Sequence, residues 1–415
     1  MPLDAKRAIA ELKELRELTS DSDGAQRVAW TDTWLKARSW FQTKWRDLPV
    51  EHHDDAAGNR WLTMPGRSRR ALIIGSHLDS VPNGGWLDGA LGMLAGLAIL
   101  RRIAEEYGGR PPVAVRLVDW ADEEGARFGR SLLGSSAFAG TSSVETDRVR
   151  TDKAGVTMEE ALPRCGVEMA RFPEAQRERE NAAAYLELHI EQGPVLESRG
   201  LPLAVVLGTK GVERHAITFH GQEAHSGSTP MNARQDALAA AAKLALEIRT
   251  IARKHPDAVC TIGSLKTFPG IVTAVVGRCE VTLDQRDLDP NVLRTMYREA
   301  HEASERFAHE EGCTVEWSRI WNIEPVPFDP TLIALCERVI LEVAPEAPHL
   351  PSGPLHDAAE VARMGIPTVM MFVQSLKGIS HNKIEDTREE HLETAIVALD
   401  RLATEVIRFM ENGAE

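Results

Sequence analysis

Residues 71–92 read ALIIGSHLDSVPNGGWLDGALG. The first four are apolar, with the length and composition of a buried strand. The chain then passes His77, Asp79 and Asp88 among closely spaced glycines. Residues 91–103 are apolar at most positions and predict a buried helix. A strand that empties through a polar, glycine-rich turn into a helix is the unit of an α/β sheet. In such sheets chemistry collects at the carboxyl ends of the strands.

The pattern repeats outward from this stretch. Residues 113–118 predict a second strand, ending at Asp119-Trp120-Ala121-Asp122-Glu123-Glu124. Residues 184–190 predict a third, which carries His189, and residues 367–373 a fourth, followed by His381. Upstream, Ile9, Leu12 and Leu15, then Trp30, Trp34 and Trp40, give two amphipathic helices. Further helices are expected at 331–343 and near 390–410. Between these elements the periodicity changes: strand 214–219, helix 233–253, strands 260–265 and 279–286, helix 292–311, strand 314–321. The order β-α-β-β-α-β is ferredoxin-like. The expected organisation is an α/β domain of residues 1–210 and 326–415, with an α+β domain of residues 211–325 inserted into it.

Composition removes several classes of function. The 415 residues are 43% hydrophobic and 27% charged, as in ordinary globular domains. Lys plus Arg number 48 against 62 Asp plus Glu, a net charge of −14. That balance argues against nucleic acid and against anionic membrane as partners. The closest two of the five cysteines, Cys260 and Cys279, are 19 residues apart, so no CxxC exists and thiolate zinc sites are excluded. The spacing fits reduced thiols in a cytoplasmic protein. The charged N-terminal residues do not form a secretory signal, and no apolar run is long enough to span a membrane.

The candidate chemistry lies at the strand ends. In an extended loop His77 and Asp79 face one side, so the Asp79 carboxylate could fix the His77 tautomer as a metal ligand's partner does. The alternative is a capped turn before a helix. Glu123 and Glu124, at the end of a buried strand, point different ways; one could bind a metal while the other acts as general base. Otherwise they are a solvated face. His189 and His381 add imidazoles, and imidazole with carboxylate suits zinc, manganese, cobalt or nickel. His225, in GQEAHSGSTPM, could donate to an oxyanion or cap the helix that follows. Arg286 could take a substrate carboxylate bidentately or form a salt bridge with Asp284 or Asp287.

Five stretches, GSHLDSVPNGGWLDGALG, DEEGARFGRSLLGS, LELHIEQGPVLE, GQEAHSGSTPMNARQDA and GISHNKIEDT, together resemble one family. It is the M20-type metal-dependent amidohydrolases of the N-carbamoyl-L-amino-acid hydrolase, β-ureidopropionase and allantoate amidohydrolase group. The resemblance runs from about residue 60 to 390. It implies a zinc-peptidase-like α/β catalytic domain with an inserted ferredoxin-like lid and dimerisation domain. It also implies two divalent cations, zinc first, with His77, Asp88 and His189 on one, Glu124 and His381 on the other, and Asp88 bridging. Asp79 would orient His77, and Glu123 would be the general base acting through metal-bound hydroxide. His225 would reach the site from the second subunit of a homodimer. Gln192, Arg286, Thr273 and His356 would contact a small amino-acid-derived substrate.

The implied reaction is hydrolysis of the carbamoyl C–N bond of an N-carbamoyl-L-amino acid or a similar compound. Alternatives are an allantoate-type ureido acid, or an N-acyl or peptide bond as in aminoacylases and dipeptidases. Those last enzymes carry a carboxylate where His189 stands. Departures from the family pattern fall around the substrate. Thr273 replaces a usual Asn, Pro354-Leu355 interrupts the usual Ser-Gly-Ala-Gly-His-Asp before His356, and Gln374 replaces a usual Pro.

Overall fold

The computed structural model describes residues 3–412. The chain forms two compact units, residues 1–207 with 328–415, and residues 208–327.

The first unit begins with α1 (Ala5–Thr19) and α2 (Asp32–Trp45). Both have side-chain N-caps, Asp4 and Thr31, which satisfy amides left unpaired in the first turn. The sheet strands are β1 (Glu51–Asp54), β2 (Arg60–Met64), β3 (Ser68–His77), β4 (Val113–Trp120), β5 (Ala182–Ile190) and β6 (Leu203–Thr209), with a later strand at Thr368–Val373. The late strand, β5, β3 and β4 pair in parallel in that order. Antiparallel strands flank them: β6 beside the late strand, and β2 then β1 beside β4.

The parallel strands and the helices follow the apolar pattern, except that Trp30 lies outside α2 and takes a left-handed backbone, φ 65°. The pair β1–β2 does not announce itself; β6, Leu-Ala-Val-Val-Leu-Gly-Thr, is as apolar as the parallel strands and adds one strand to the expected set. β1 is Glu-His-His-Asp and exposed throughout, so only pairing with β2 makes it a strand. Helix α3 (Ala90–Glu106) lies against the sheet, and every residue from Ala90 to Leu100 is buried. It shares a core with α1, α2 and the helices Pro330–Leu341 and Glu389–Asn412. On a second face Trp61, Trp120, Tyr185 and Phe372 form a separate cluster. At about 1.5–3 kcal/mol for each large apolar side chain, these two layers dominate the stability of the unit.

The second unit is a four-stranded antiparallel sheet. Its strands are β7 (Gly211–His220), β9 (Val259–Phe268), β11 (Arg278–Asp287) and β12 (Thr314–Ile323), in the spatial order β9–β11–β7–β12. Two helices, α4 (Ala237–Ala252) and α5 (Pro290–Glu310), cover one face around Ile217, Phe219, Leu244, Val281 and Leu283. This is the ferredoxin-like order. A small ribbon, β8 (Ala224–His225) with β10 (Ala274–Val275), extends it. Helix α4 starts later than its composition suggests, because Asp236 caps it and residues 231–233 form a separate 3₁₀ turn. Among the described residues no helix is long and apolar enough to cross a membrane.

One buried ion pair ties a helix to the sheet. Arg38 Nε lies 2.6 Å from Asp119 Oδ2, and its Nη1 donates to Gly58 O at 2.7 Å. Asp119 Oδ1 in turn accepts the Leu78 amide at 2.9 Å. Removing one member leaves an uncompensated buried charge, typically worth about 3–5 kcal/mol. Arg38→Ala should therefore lower the unfolding free energy by about that amount in a urea titration, and an unchanged midpoint would show that the pair is dispensable.

Candidate metal centre

The strand ends bring the expected residues together. β3 delivers His77, β5 delivers His189, and the turn after β4 delivers Glu123 and Glu124. His77 is in register with Trp120, and His189 with Phe372, so the ends of neighbouring parallel strands are level. Asp88 sits in the turn entering α3, and His381 in the loop after the Thr368–Val373 strand. His381 adopts a left-handed backbone, φ 55°, as does Asp122 before Glu123, φ 59°.

Two ligand sets share Asp88. His77, Asp88 and His189 each offer a ligand atom within 4.8 Å of the others, and so do Asp88, Glu124 and His381. Asp88 Oδ1 is 3.1 Å from His189 Nε2 and 3.7 Å from His77 Nε2. Its Oδ2 is 3.5 Å from His381 Nε2, which is 3.3 Å from Glu124 Oε2. Glu123 Oε2 stands 3.7 Å from His77 Nε2. His381 is half exposed, whereas His77, Asp88 and His189 are buried.

The donor set fits divalent cations. His77 Nδ1 faces the Asp79 carbonyl at 3.1 Å, and His189 Nδ1 faces the Ile190 carbonyl at 2.9 Å. A carbonyl only accepts, so both Nδ1 atoms carry hydrogen, and both Nε2 atoms face Asp88, where the neutral rings would offer lone pairs to a cation. His77 Nε2 is buried with no hydrogen-bond partner. Three imidazoles with carboxylates and no thiolate match zinc, manganese, cobalt or nickel.

The electrostatics express the same crowding. Burial drives Glu123 and Glu124 well above the usual carboxylate range, His77 opposing it in both. Burial acts the same way on Asp88. There it is overcome by the hydrogen bond and charge of His189, with His77 and His381, and Asp88 is held well below the usual range. Burial alone would lower His77, but Glu123, Asp79 and Asp88 raise it well above an ordinary histidine. A cation would relieve this stack of buried acids directly.

Asp79 touches both His77 and the Glu123–Glu124 turn. Its carboxylate is 3.6 Å from His77 Nδ1, farther than its own carbonyl, and accepts the amides of Glu123 and Glu124 at 3.3 and 3.2 Å. Backbone folding over the i+2 position brings the carbonyl to the imidazole first. The side chain holds the Glu123–Glu124 turn as well.

Gln192, also left-handed at φ 57°, donates from Nε2 to Asp88 Oδ2 at 2.8 Å and to Ser380 at 3.1 Å. Its Oε1 is buried without a protein partner. His356 is buried with its ring 4.5 Å from that of His189, neither nitrogen has a partner, and burial followed by the His189 charge keeps it neutral. With Glu187 and His189 it makes a third cluster of possible ligands.

His225, Thr273 and Arg286 belong to the inserted unit. His225 is exposed on the ribbon opposite Ala274, and its Nδ1 accepts the Gly227 amide at 3.1 Å. The proton of a neutral His225 is therefore on Nε2. Asp236, not His225, caps the following helix. Thr273 is exposed, and its carbonyl accepts the Ser226 amide at 2.9 Å. Arg286 pairs with Asp284, Nε to Oδ1 at 2.8 Å, and Arg214 shares that carboxylate.

Several contributors escaped the sequence. Arg27 is fully buried and donates from Nε to Leu78 O at 2.9 Å, and its surrounding residues carry no metal-ligand pattern. Asp122 bonds the Trp30 indole at 2.7 Å and is pushed up to about 8 by burial and by Asp79. Only the long-range packing of 27–30 against the strand ends reveals either.

Residues 73–405 match the sequence profile of peptidase family M20/M25/M40. The chain is 34% identical over 391 residues to an N-carbamoyl-L-amino acid amidohydrolase of Geobacillus stearothermophilus, covering 94% of this chain and 95% of that one. It is 31% identical over 405 residues to an allantoate amidohydrolase of Bacillus subtilis, covering 96% and 97%. A crystal structure of a hydantoinase/carbamoylase family amidase from Burkholderia multivorans superposes with a TM-score of 0.86 at 32% identity, covering 96% and 97%.

Gly89 connects Asp88 to α3 at φ 64°, and a Cβ there would collide with the His77 ring. Gly89→Ala should reduce metal uptake by about 10-fold or more, as perturbing groups behind the ligands does in other sites. Metal analysis after dialysis checks this; wild-type stoichiometry and affinity would refute it.

Proposed function

The chain belongs to peptidase family M20/M25/M40 and is a hydrolase of linear amide C–N bonds, and on that premise we propose that it cleaves the carbamoyl C–N bond of an N-carbamoyl-L-amino acid or a similar N-substituted amino acid. The carrying observation is the single carboxylate, Asp88, that serves both histidine-containing ligand sets beside Glu123. The similarity to an N-carbamoyl-L-amino acid amidohydrolase along 94% of the chain supports the substrate class. His189 supports it further, because a carboxylate stands there in aminoacylases and dipeptidases of this fold.

His77, Asp88 and His189 would hold one divalent cation, and Asp88, Glu124 and His381 the other, zinc first among the candidates. Bound there, the cations would supply Lewis acidity, polarising the substrate carbonyl and making water a stronger acid. Glu123 takes the proton of the attacking water on its carboxylate and returns it to the leaving nitrogen. Burial raises the proton affinity of the Glu123 carboxylate, which favours the first of these transfers. Gln192 Oε1, which lacks a protein partner, accepts a hydrogen bond from the ureido group. Arg286, steadied by Asp284, takes the substrate carboxylate. His356 and Thr273 complete the substrate contacts. For a carbamoyl substrate the carbamate released would decay to ammonia and carbon dioxide.

We assign His225 as the oxyanion donor, through the Nε2 hydrogen that its bond from Gly227 enforces, supplied by the second copy of a homodimer. An allantoate-type ureido acid is the second reading, favoured by the 31% identity to the Bacillus subtilis enzyme along nearly the whole chain.

A panel of N-carbamoyl, N-formyl and N-acetyl amino acids, dipeptides and allantoate, with release of free amino groups and of ammonia both followed, tests the substrate. Carbamoyl amino acids should be turned over fastest, and chelation should abolish the activity until a divalent metal is restored. Preferred cleavage of acetyl or peptide bonds would overturn the proposal. Glu123→Gln and His225→Ala should each be inactive alone. Mixed under conditions that exchange subunits, they should recover about a quarter of wild-type activity, because one intact site forms in each hybrid of a symmetric dimer. No recovery would place His225 in its own chain's site or outside catalysis.

A further inference from the structure

Glu385 is a buried carboxylate four residues past His381, outside both ligand sets. Its Oε1 accepts the amides of Leu87 and Asp88, each at 3.1 Å. Its Oε2 is 2.9 Å from the Ser380 hydroxyl, which also lies 3.0 Å from Asp88 Oδ2 and 3.1 Å from Gln192 Nε2. The carboxylate therefore holds Asp88 directly at its main chain, and at the side chain it meets Ser380, whose single hydroxyl proton is shared between Glu385 and Asp88 Oδ2. The turn has been shaped to admit it: a Cβ on Gly85 would overlap the Glu385 carboxylate. Among the carboxylates acting on the fully buried Arg27 guanidinium, Glu385 acts most strongly, so positive charge is also built in behind it.

We propose that Glu385 is a positioning residue that fixes the bridging orientation of Asp88 and locks the Asp88 turn to the loop carrying Ser380 and His381. The inference rests on Asp88 being the ligand shared by two cations. Without Glu385, the Leu87 and Asp88 amides lose their common acceptor and Ser380 loses the partner that steadies it. Asp88 Oδ2 is then free to turn from His381. Glutamine at this position preserves the grip: its carbonyl accepts the two amides, its NH₂ donates to Ser380 Oγ, and Ser380 donates to Asp88 Oδ2.

The test is cobalt(II) titration of the metal-stripped full-length chain, read by its visible absorption bands. Wild-type protein should take up two equivalents. Glu385→Ala should bind at least one of them about 10–100-fold more weakly, with altered bands. Glu385→Gln should stay within a few-fold of wild type and keep the wild-type spectrum, a rescue that a requirement for negative charge at this position would not give. Ser380→Ala, which removes only the hydroxyl, should weaken the same equivalent and carries the test if Glu385→Ala does not fold. Unchanged titrations and spectra in the alanine variants overturn the proposal, as does a glutamine variant as weak as alanine. Wild-type protein that takes up no cobalt overturns the metal reading, and this inference with it.

Discussion

The polar end of the α/β sheet is organised by one constraint: the Asp88 carboxylate must face two histidine clusters at once. Its Oδ1 meets His189 and His77, its Oδ2 meets His381, and the contacts lie between 3.1 and 3.7 Å. Four structural elements converge to satisfy it. The level ends of β3 and β5 set His77 and His189, the entry to α3 sets Asp88 itself, and the loop after the last strand brings His381. Gly89 lets the turn pass beneath the His77 ring.

The cost of this arrangement is electrostatic. Asp79, Asp88, Glu123, Glu385 and Asp119 are all buried near the same strand ends. Isolated ionised groups in such a place are strongly disfavoured. The protein offsets this with main-chain amides aimed at carboxylates, those of Glu123 and Glu124 at Asp79, Leu78 at Asp119, and Leu87 and Asp88 at Glu385. Buried Arg38 and Arg27 add charge from behind. What they leave uncompensated is concentrated where the two ligand sets meet, the electrostatic condition a pair of cations would complete.

The division of labour between the units follows from their architecture. Parallel strands with a helix-covered core hold side chains rigidly at level ends, which suits a ligand cage. The inserted unit presents His225 and Thr273 on an exposed two-stranded ribbon and Arg286 at the end of β11, each steadied locally. The net charge of −14 is a property of the whole chain; recognition of an anionic substrate would depend on the local guanidinium.

The sequence by itself determined the strand-and-helix alternation, because apolar runs of strand length separated by helical periodicity leave few other ways to bury a core. It also singled out the ligand candidates, since His and Asp or Glu directly after apolar strands fall at one edge of a parallel sheet. It did not reveal β1, which has no apolar pattern and exists through pairing. It did not reveal which atom of Asp79 meets His77, since side chain and carbonyl are both two residues away and only the turn geometry separates them. Glu385 stood within the GISHNKIEDT motif, but its partners are the amides of Leu87 and Asp88, almost 300 positions earlier. Arg27 lies in a stretch without metal-ligand residues. Tertiary structure decided these points because they depend on main-chain direction and long-range packing, which residue type and spacing do not encode.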